Sequence, residues 1–338
     1  MKERYSYFLI VVFIGMLLIP LRTLVFDPNA IEESFYSRER PITMISNLRL
    51  LIGDQVFPSA IVGKRGWLVY TAEGDIEAYQ RTALYTDDEL AHFQQNLDAL
   101  AAHYAEQGIT LLVIVPPNKN TIYPERVPTQ IPVFGSESKL DQVLAYLHTH
   151  GYEQLIDLRP TLLTAKSEHQ VYYATDTHWN DYGVYIAYSA LMVELQKTYP
   201  NLVAHPISDF KIVKRKPDQL DLSKNMGITL LPESKIQFAP QFDLNTRYKN
   251  VNLGQRRLMF SYNPNGDLPN LVMYYDSFFF SVIPLIGEHI HKGYYIQNYT
   301  GGGLWNLSWV EEQHPDVVVV EFSERYLDDL LHFVDPNR

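Results

Sequence analysis

Three runs, TLLVIV (110–115), LVMYY (271–275) and DVVVVEF (316–322), each hold at least four consecutive apolar residues. A strand that is apolar on both sides must be buried on both sides, which calls for a parallel sheet covered by helices on each face. The intervening sequence supplies those helices. In DDELAHFQQNLDALAAHYAEQ (87–107), Leu90, Phe93, Leu97, Leu100 and Tyr104 recur at helical spacing, and Gly108 closes the pattern as a C-cap. SKLDQVLAYLHTHG (138–151) reads as a helix ended by Gly151. Residues 181–199 read as another, with Val184, Ala187, Leu191 and Leu195 inward and Pro200 as its stop. EQLIDLRP (153–160), ended by Pro160, and GYYIQ (293–297) are further strand candidates, and GKRGWLVY (63–70) predicts a turn and a short strand. WVEEQ supplies a helical turn ahead of the last strand. The expected fold is therefore α/β, three layers deep, around a mainly parallel sheet. Residues 200–262 are the least regular part and predict an insertion with short elements of its own.

Lys2 and Arg4 precede YSYFLIVVFIGMLLIPL, a run from Tyr5 to Leu21 that carries no charge. That length is close to the roughly 20 residues needed to cross a bilayer. No small-x-small cleavage site follows, so residues 1–27 read as an uncleaved transmembrane signal anchor rather than a removed signal peptide. Lys2 and Arg4 would hold the N-terminus inside and place the rest of the chain outside the cytoplasmic membrane, periplasmic or on the cell surface. Residues 28–60 show no clear period and read as a membrane-proximal connector, leaving 61–338 as the folded domain. A formal charge of −11 argues against nucleic acid as the main partner, because phosphate binding needs concentrated Lys and Arg. The lack of any cysteine excludes disulfides, thiolate metal sites and a Cys nucleophile.

The stretch YATDTHWNDYG (173–183) places Asp176 and His178 just ahead of the 181–199 helix. The plain reading is a turn into a helix capped by Asn180 or Asp181, with Trp179 as a packing anchor. A second reading is two-thirds of a catalytic triad. Ligands of open α/β sheets bind at the carboxyl ends of strands, and Ser277 follows LVMYY by two positions. A serine hydroxyl needs a base, which His178 can be, and Asp176 can fix its tautomer. As metal ligands, Asp176 and His178 are only two, short of the three a zinc site needs, and His289 and His291 have no carboxylate at ligand spacing; no metal or cofactor is expected. Asn118 follows the strand 110–115 onto the same rim and is a candidate oxyanion donor beside the backbone amides near Ser277. GGGLW (301–305) lacks the lysine and spacing of a phosphate loop and reads as a loop beside the site.

GWLVY (66–70), VPPNKNTIYPERVP (115–128), TDTHWN (175–180), LDLSKNMG (220–227), YDSFFF (275–280) and PDVVVVEFSERYL (315–327) stand in one order along the chain. In these the chain resembles the alginate O-acetyltransferase family, the AlgJ/AlgX type of SGNH-hydrolase-like protein. The resemblance implies an SGNH-like α/β domain whose triad is in permuted order, with Asp176 and His178 matching the acid and base and Ser277 the nucleophile. It also implies transfer of acetyl groups onto exopolysaccharide hydroxyls outside the cytoplasmic membrane, with a multispanning membrane-bound acyltransferase as partner and acetyl donor. Ending at Arg338, the chain resembles the anchored member without an appended carbohydrate-binding module. It departs from the family at Tyr275, where glycine often precedes Asp-Ser, and at Asn180–Asp181, where Thr-Pro is common. The polymer is not identified by these residues. An esterase or deacetylase with the same triad, and a non-catalytic anchored assembly protein, are the competing expectations.

Overall fold

The computed structural model describes residues 31–152, 155–253, 256–297 and 307–333, with isolated positions of the N-terminal run. The 5–21 run therefore lies mostly outside the described residues, as does GGGLW (301–305). Among the described residues no helix is long and apolar enough to cross a membrane.

The connector is not patternless. Helix α1 (Ile31–Leu51) occupies most of it, with Pro41 inside. Two short strands, β1 (Ala60–Val62) and β2 (Leu68–Tyr70), then form an antiparallel ribbon. Among the described residues the central sheet takes seven strands, starting with β3 (Thr110–Val115) and β4 (Leu155–Asp157). A separate ribbon pairs β5 (Phe210–Asp218) with β6 (Glu233–Pro240). Then come β7 (Arg247–Leu253), β8 (Arg256–Tyr262), β9 (Leu271–Tyr275), β10 (Lys292–Gln297) and β11 (Val317–Glu321). The order across the sheet is β4-β3-β11-β9-β10-β8-β7. The first five run parallel; β8 pairs antiparallel with β10, and β7 with β8.

The apolar runs take the middle of this sheet because they alone can be covered on both faces. Along β11, Val317 and Val319 face one apolar cluster while Val318 and Val320 face the other, the two-residue alternation of a strand. One side is covered by α2 (Asp87–Glu106) and α3 (Lys139–Thr149), through Phe93, Leu97, Val143 and Leu147. The other is covered by α4 (Arg159–Lys166) and α5 (Asp181–Thr198), through Leu162, Ala187, Leu191 and Leu195. Helix α2 opens on a capping box: Thr86 Oγ1 accepts from Glu89 N, and the Glu89 carboxylate accepts from Thr86 N.

Two expectations change. The strand expected over 153–160 is confined among the described residues to Leu155–Asp157, because Pro160 sits in the first turn of α4, where its missing N–H costs nothing. Residues 200–262, expected as an insertion with short elements of its own, hold the separate β5–β6 ribbon, but β7 and β8 extend the central sheet. These strands lack an apolar period because most of β5 and the start of β7 face solvent, so the backbone ladder rather than burial defines them.

Helix α1 docks on the domain through one side. Asn47 Oδ1 accepts from Thr229 N and Leu230 N at 3.0 and 3.3 Å, its Nδ2 donates to Thr229 Oγ1 at 2.9 Å, and Ser46 is buried. Gly227 makes this approach possible: its φ is +66°, and a Cβ there would fall 3.1 Å from Ile42 Cγ2. The sheet's outer edges differ from its centre. β4 is three residues long, and β7 presents Arg247, Lys249 and Asn250 to solvent.

Candidate active site

Asn180 shapes the approach to α5. Its Oδ1 accepts from Tyr182 N at 3.0 Å and Gly183 N at 3.3 Å, satisfying two donors of the first turn. Trp179, buried as a packing anchor, also donates from Nε1 to the Phe278 carbonyl at 3.0 Å. That bond joins the segment carrying His178 to the segment carrying Ser277.

The 173–178 loop is fixed from below. Buried Lys119 donates to the carbonyls of Tyr173, Ala174 and Asp176, at 3.4, 3.2 and 2.5 Å. Burial lowers its ammonium pKa to about 8, against the pull of Asp221 and Asp176. From β6, the Glu233 carboxylate accepts from Ala174 N at 2.9 Å and from Thr175 N and Oγ1 at 2.8 Å.

The Ser277 turn has its own frame. Asp276 N donates to Glu321 Oε2 at 2.7 Å, while the Asp276 carboxylate accepts from Phe278 N at 2.8 Å and Ser323 N at 2.9 Å. Burial, and then the charge of Asp276, push the Glu321 carboxyl well above the usual range. Tyr275, the departure from glycine, is a buried member of the core on the α5 side.

These frames bring the three expected residues together. His178 Nε2 lies 2.9 Å from Ser277 Oγ, and Nδ1 lies 2.8 Å from Asp176 Oδ1. The same Oδ1 accepts from His178 N at 3.0 Å. A proton on Nδ1, donated to Asp176, leaves Nε2 as acceptor for the serine hydroxyl. Burial opposes ionisation of Asp176, but the His178 hydrogen bond and charge outweigh it and hold the carboxyl well below its usual range.

A fourth group escaped the sequence reading. Asp221 Oδ2 is 3.6 Å from His178 Nδ1 and accepts from Thr177 Oγ1 at 2.7 Å, and Asp221 Oδ1 accepts from Thr177 N at 2.9 Å. Its N–H donates to Asp176 Oδ2 at 3.4 Å. Burial, then the neighbouring Asp176, raise its pKa. The only signal was the LDL stretch at 220–222, which names no role by itself. Asp221 also supplies a third potential ligand beside Asp176 and His178, since the three bring donor atoms within 4.8 Å of one another.

Ser277, His178 and Asp176 line an open cleft of about 710 Å³, whose far wall includes Arg215, Lys235 and Gln237 of the β5–β6 ribbon. Asn118 does not line it. The Asn118 backbone N–H donates to Glu324 Oε2 at 2.7 Å, and its side-chain Oδ1 and Nδ2 are buried without a partner.

Residues 60–256, more than half of the chain, match the family described as "SGNH hydrolase-like domain, acetyltransferase AlgX". The chain belongs to this family. Among curated relatives of this family, the probable alginate O-acetylases AlgJ of Pseudomonas syringae pv. tomato and Pseudomonas aeruginosa are 30% and 28% identical over 173 residues. These matches cover 50% and 49% of the chain and 42% of each relative's length. The SGNH-like fold is shared with solved structures. Bacillus cereus PatB1 superposes with a TM-score of 0.59 at 15% identity, covering 81% of this chain and 99% of that one. The O-acetyltransferase domain of Pseudomonas putida AlgJ gives 0.52 at 18% identity, covering 83% and 100%.

Proposed function

We propose that this chain is an O-acetyltransferase that moves acetyl groups onto hydroxyls of an exopolysaccharide outside the cytoplasmic membrane, through an acetyl-Ser277 intermediate. The observation that carries the proposal is the Asp176–His178–Ser277 relay, with links of 2.8 and 2.9 Å, on the wall of an open cleft. Family membership and the alginate O-acetylase names of its relatives support it.

In the first half-reaction His178 Nε2 takes the Ser277 hydroxyl proton as Oγ attacks the acetyl carbonyl carbon. The tetrahedral intermediate collapses to acetyl-Ser277, and the donor's leaving oxygen takes the proton from Nε2. In the second, a sugar hydroxyl gives its proton to Nε2 and attacks the acetyl carbon, and Ser277 Oγ leaves with that proton. Asp176 stabilises the imidazolium formed in each half. The oxyanion is met in this proposal by the backbone N–H of Ser277, while Asn118 stays buried off the cleft. The acetyl donor is a multispanning membrane acyltransferase, with this chain anchored by its 5–21 run and its domain outside.

The full chain, supplied with a chromogenic acetyl ester and an oligosaccharide acceptor, should yield acetylated oligosaccharide by mass spectrometry, and Ser277→Ala none. Release of acetate with no acetylated sugar would make the chain an esterase. No acylation of Ser277 at all would make it an assembly protein that keeps the fold for binding.

A further inference from the structure

The outer side of α1 reverses the usual pattern of a surface helix. Met44, Ile45, Leu48, Leu51 and the following Ile52 are all exposed, Leu51 and Ile52 by 73% and 74%. At 3.6 residues per turn these five positions fall within an arc of about 120°, one continuous apolar stripe. The small and polar residues Ser46 and Asn47 face the domain instead, and Leu50 packs on the cluster of Phe57, Leu222, Met226 and Ile228. The domain thus holds the helix through Ser46, Asn47 and Leu50 and turns the apolar stripe outward. Contiguous exposed apolar surface of this kind marks a contact with something else.

We propose that this stripe lies in the interfacial layer of the lipid bilayer, giving the chain a second, peripheral membrane contact that fixes how the catalytic domain sits over the surface. The proposal rests on the reading of 5–21 as a membrane anchor. The apolar run ends at Leu21 and α1 begins at Ile31, so nine residues separate them. Fully extended, that segment reaches about 35 Å, which keeps the helix beside the bilayer at all times. The stripe is convex and one helix wide, far short of the roughly 800 Å² per partner of a standard protein interface. An interfacial helix needs only such a face, immersed by about 5–10 Å. The docked side of α1 meets the Leu220–Gly227 turn, which carries Asp221, so the lipid contact and the site are joined through a single turn.

The chain has no cysteine, so single cysteines can be spin-labelled in the full protein without background. Met44→Cys, Leu48→Cys and Leu51→Cys would be labelled in turn, with Phe13→Cys as the anchor control and Glu106→Cys as the solvent control. The protein would be reconstituted in vesicles of phosphatidylethanolamine and phosphatidylglycerol. Power saturation would then compare access of oxygen, which dissolves in lipid, with access of a water-soluble nickel chelate. Labels at 44, 48 and 51 should favour oxygen at a depth near the headgroups, label 13 should lie deeper, and label 106 should be open to nickel. Adding Leu48→Glu should return labels 44 and 51 to water. If labels 44, 48 and 51 are as open to nickel as label 106 while 13 is deep, the stripe proposal fails and the anchor reading stands. If label 13 is also open to nickel, both fail. Labels at 44, 48 and 51 shielded from both reagents would mean that protein, not lipid, covers the stripe.

Discussion

Gly183 lies in the first turn of α5, three residues after the Asn180 cap, and replacing it by alanine sets two effects against each other. Alanine is favoured over glycine inside a helix by about 1 kcal/mol. Against this, a Cβ at 183 would lie 2.5 Å from Trp179 Cβ and 2.5 Å from the Val171 carbonyl oxygen. Ordinary contact begins near 3.4 Å, so the shortfall is 3.4 − 2.5 = 0.9 Å toward both atoms. Neither is the tip of a flexible side chain, so the overpacking cost belongs near the upper end of its range, about 3 kcal/mol. The net is a destabilisation of about 2 kcal/mol, which in a chain of this size lowers Tm by about 3 °C. Activity should fall further than stability. Relief of the clash moves Trp179, the neighbour of His178 and the partner of the Phe278 carbonyl, and a displacement of about 1 Å at the reacting groups costs about 10²-fold. Thermal melts followed by circular dichroism, with acetyl-ester turnover on the same samples, measure both. An unchanged or raised Tm with turnover intact would show that α5 gives way freely, and the close approach at Gly183 would lose its role in placing the base.

Ser277→Ala and His178→Ala should each reduce turnover by about 10⁴-fold or more with an unchanged melt, and the triple variant with Asp176→Ala should be little worse than the serine variant alone. Asp221→Asn should lower kcat by about 10-fold, less than Asp176→Ala, since Asp221 sits farther from Nδ1; equal losses would mean the two carboxylates share one role. Because burial lowers Lys119 from its usual 10.5 to about 8, the unfolded chain binds more protons than the native one between those values, and this residue's contribution to stability grows as pH rises. Lys119→Met should flatten that trend relative to the unaltered chain in melts from pH 8 to 10; identical slopes would remove Lys119 as its source.

What could be read ahead of the structure follows from how each element is stabilised. Strands 110–115, 271–275 and 316–322 announce themselves because both their faces are buried, and α2 and α5 because one face is. Strands β5 and β7 could not, since side chains that face water leave no period in the sequence. Helix α1 was hidden because its first ten residues, IEESFYSRER, are mostly polar and Pro41 reads as a break, although Met44, Ile45, Leu48 and Leu51 keep helical spacing. At the site, Asp176, His178 and Ser277 were legible because two share one short motif and the third follows a strand by two positions. Asp221 and Lys119 act through loop-to-loop hydrogen bonds between segments far apart in the chain, a relation that local pattern does not encode.

A sheet that ends in open backbone is an invitation to another strand, and this one has two ends. At the β4 side only Leu155–Asp157 offers its ladder, too short to template a lasting pair. At the other end, β7 carries exposed Arg247 and Lys249, and charged side chains on an edge strand discourage pairing with a further strand. If the proposed anchor tethers the molecule in a plane, encounters between copies are frequent and already half-oriented, the conditions under which sticky edges grow into ribbons. Short length at one rim and exposed charge at the other leave such collisions unrewarded, so crowded copies can separate again.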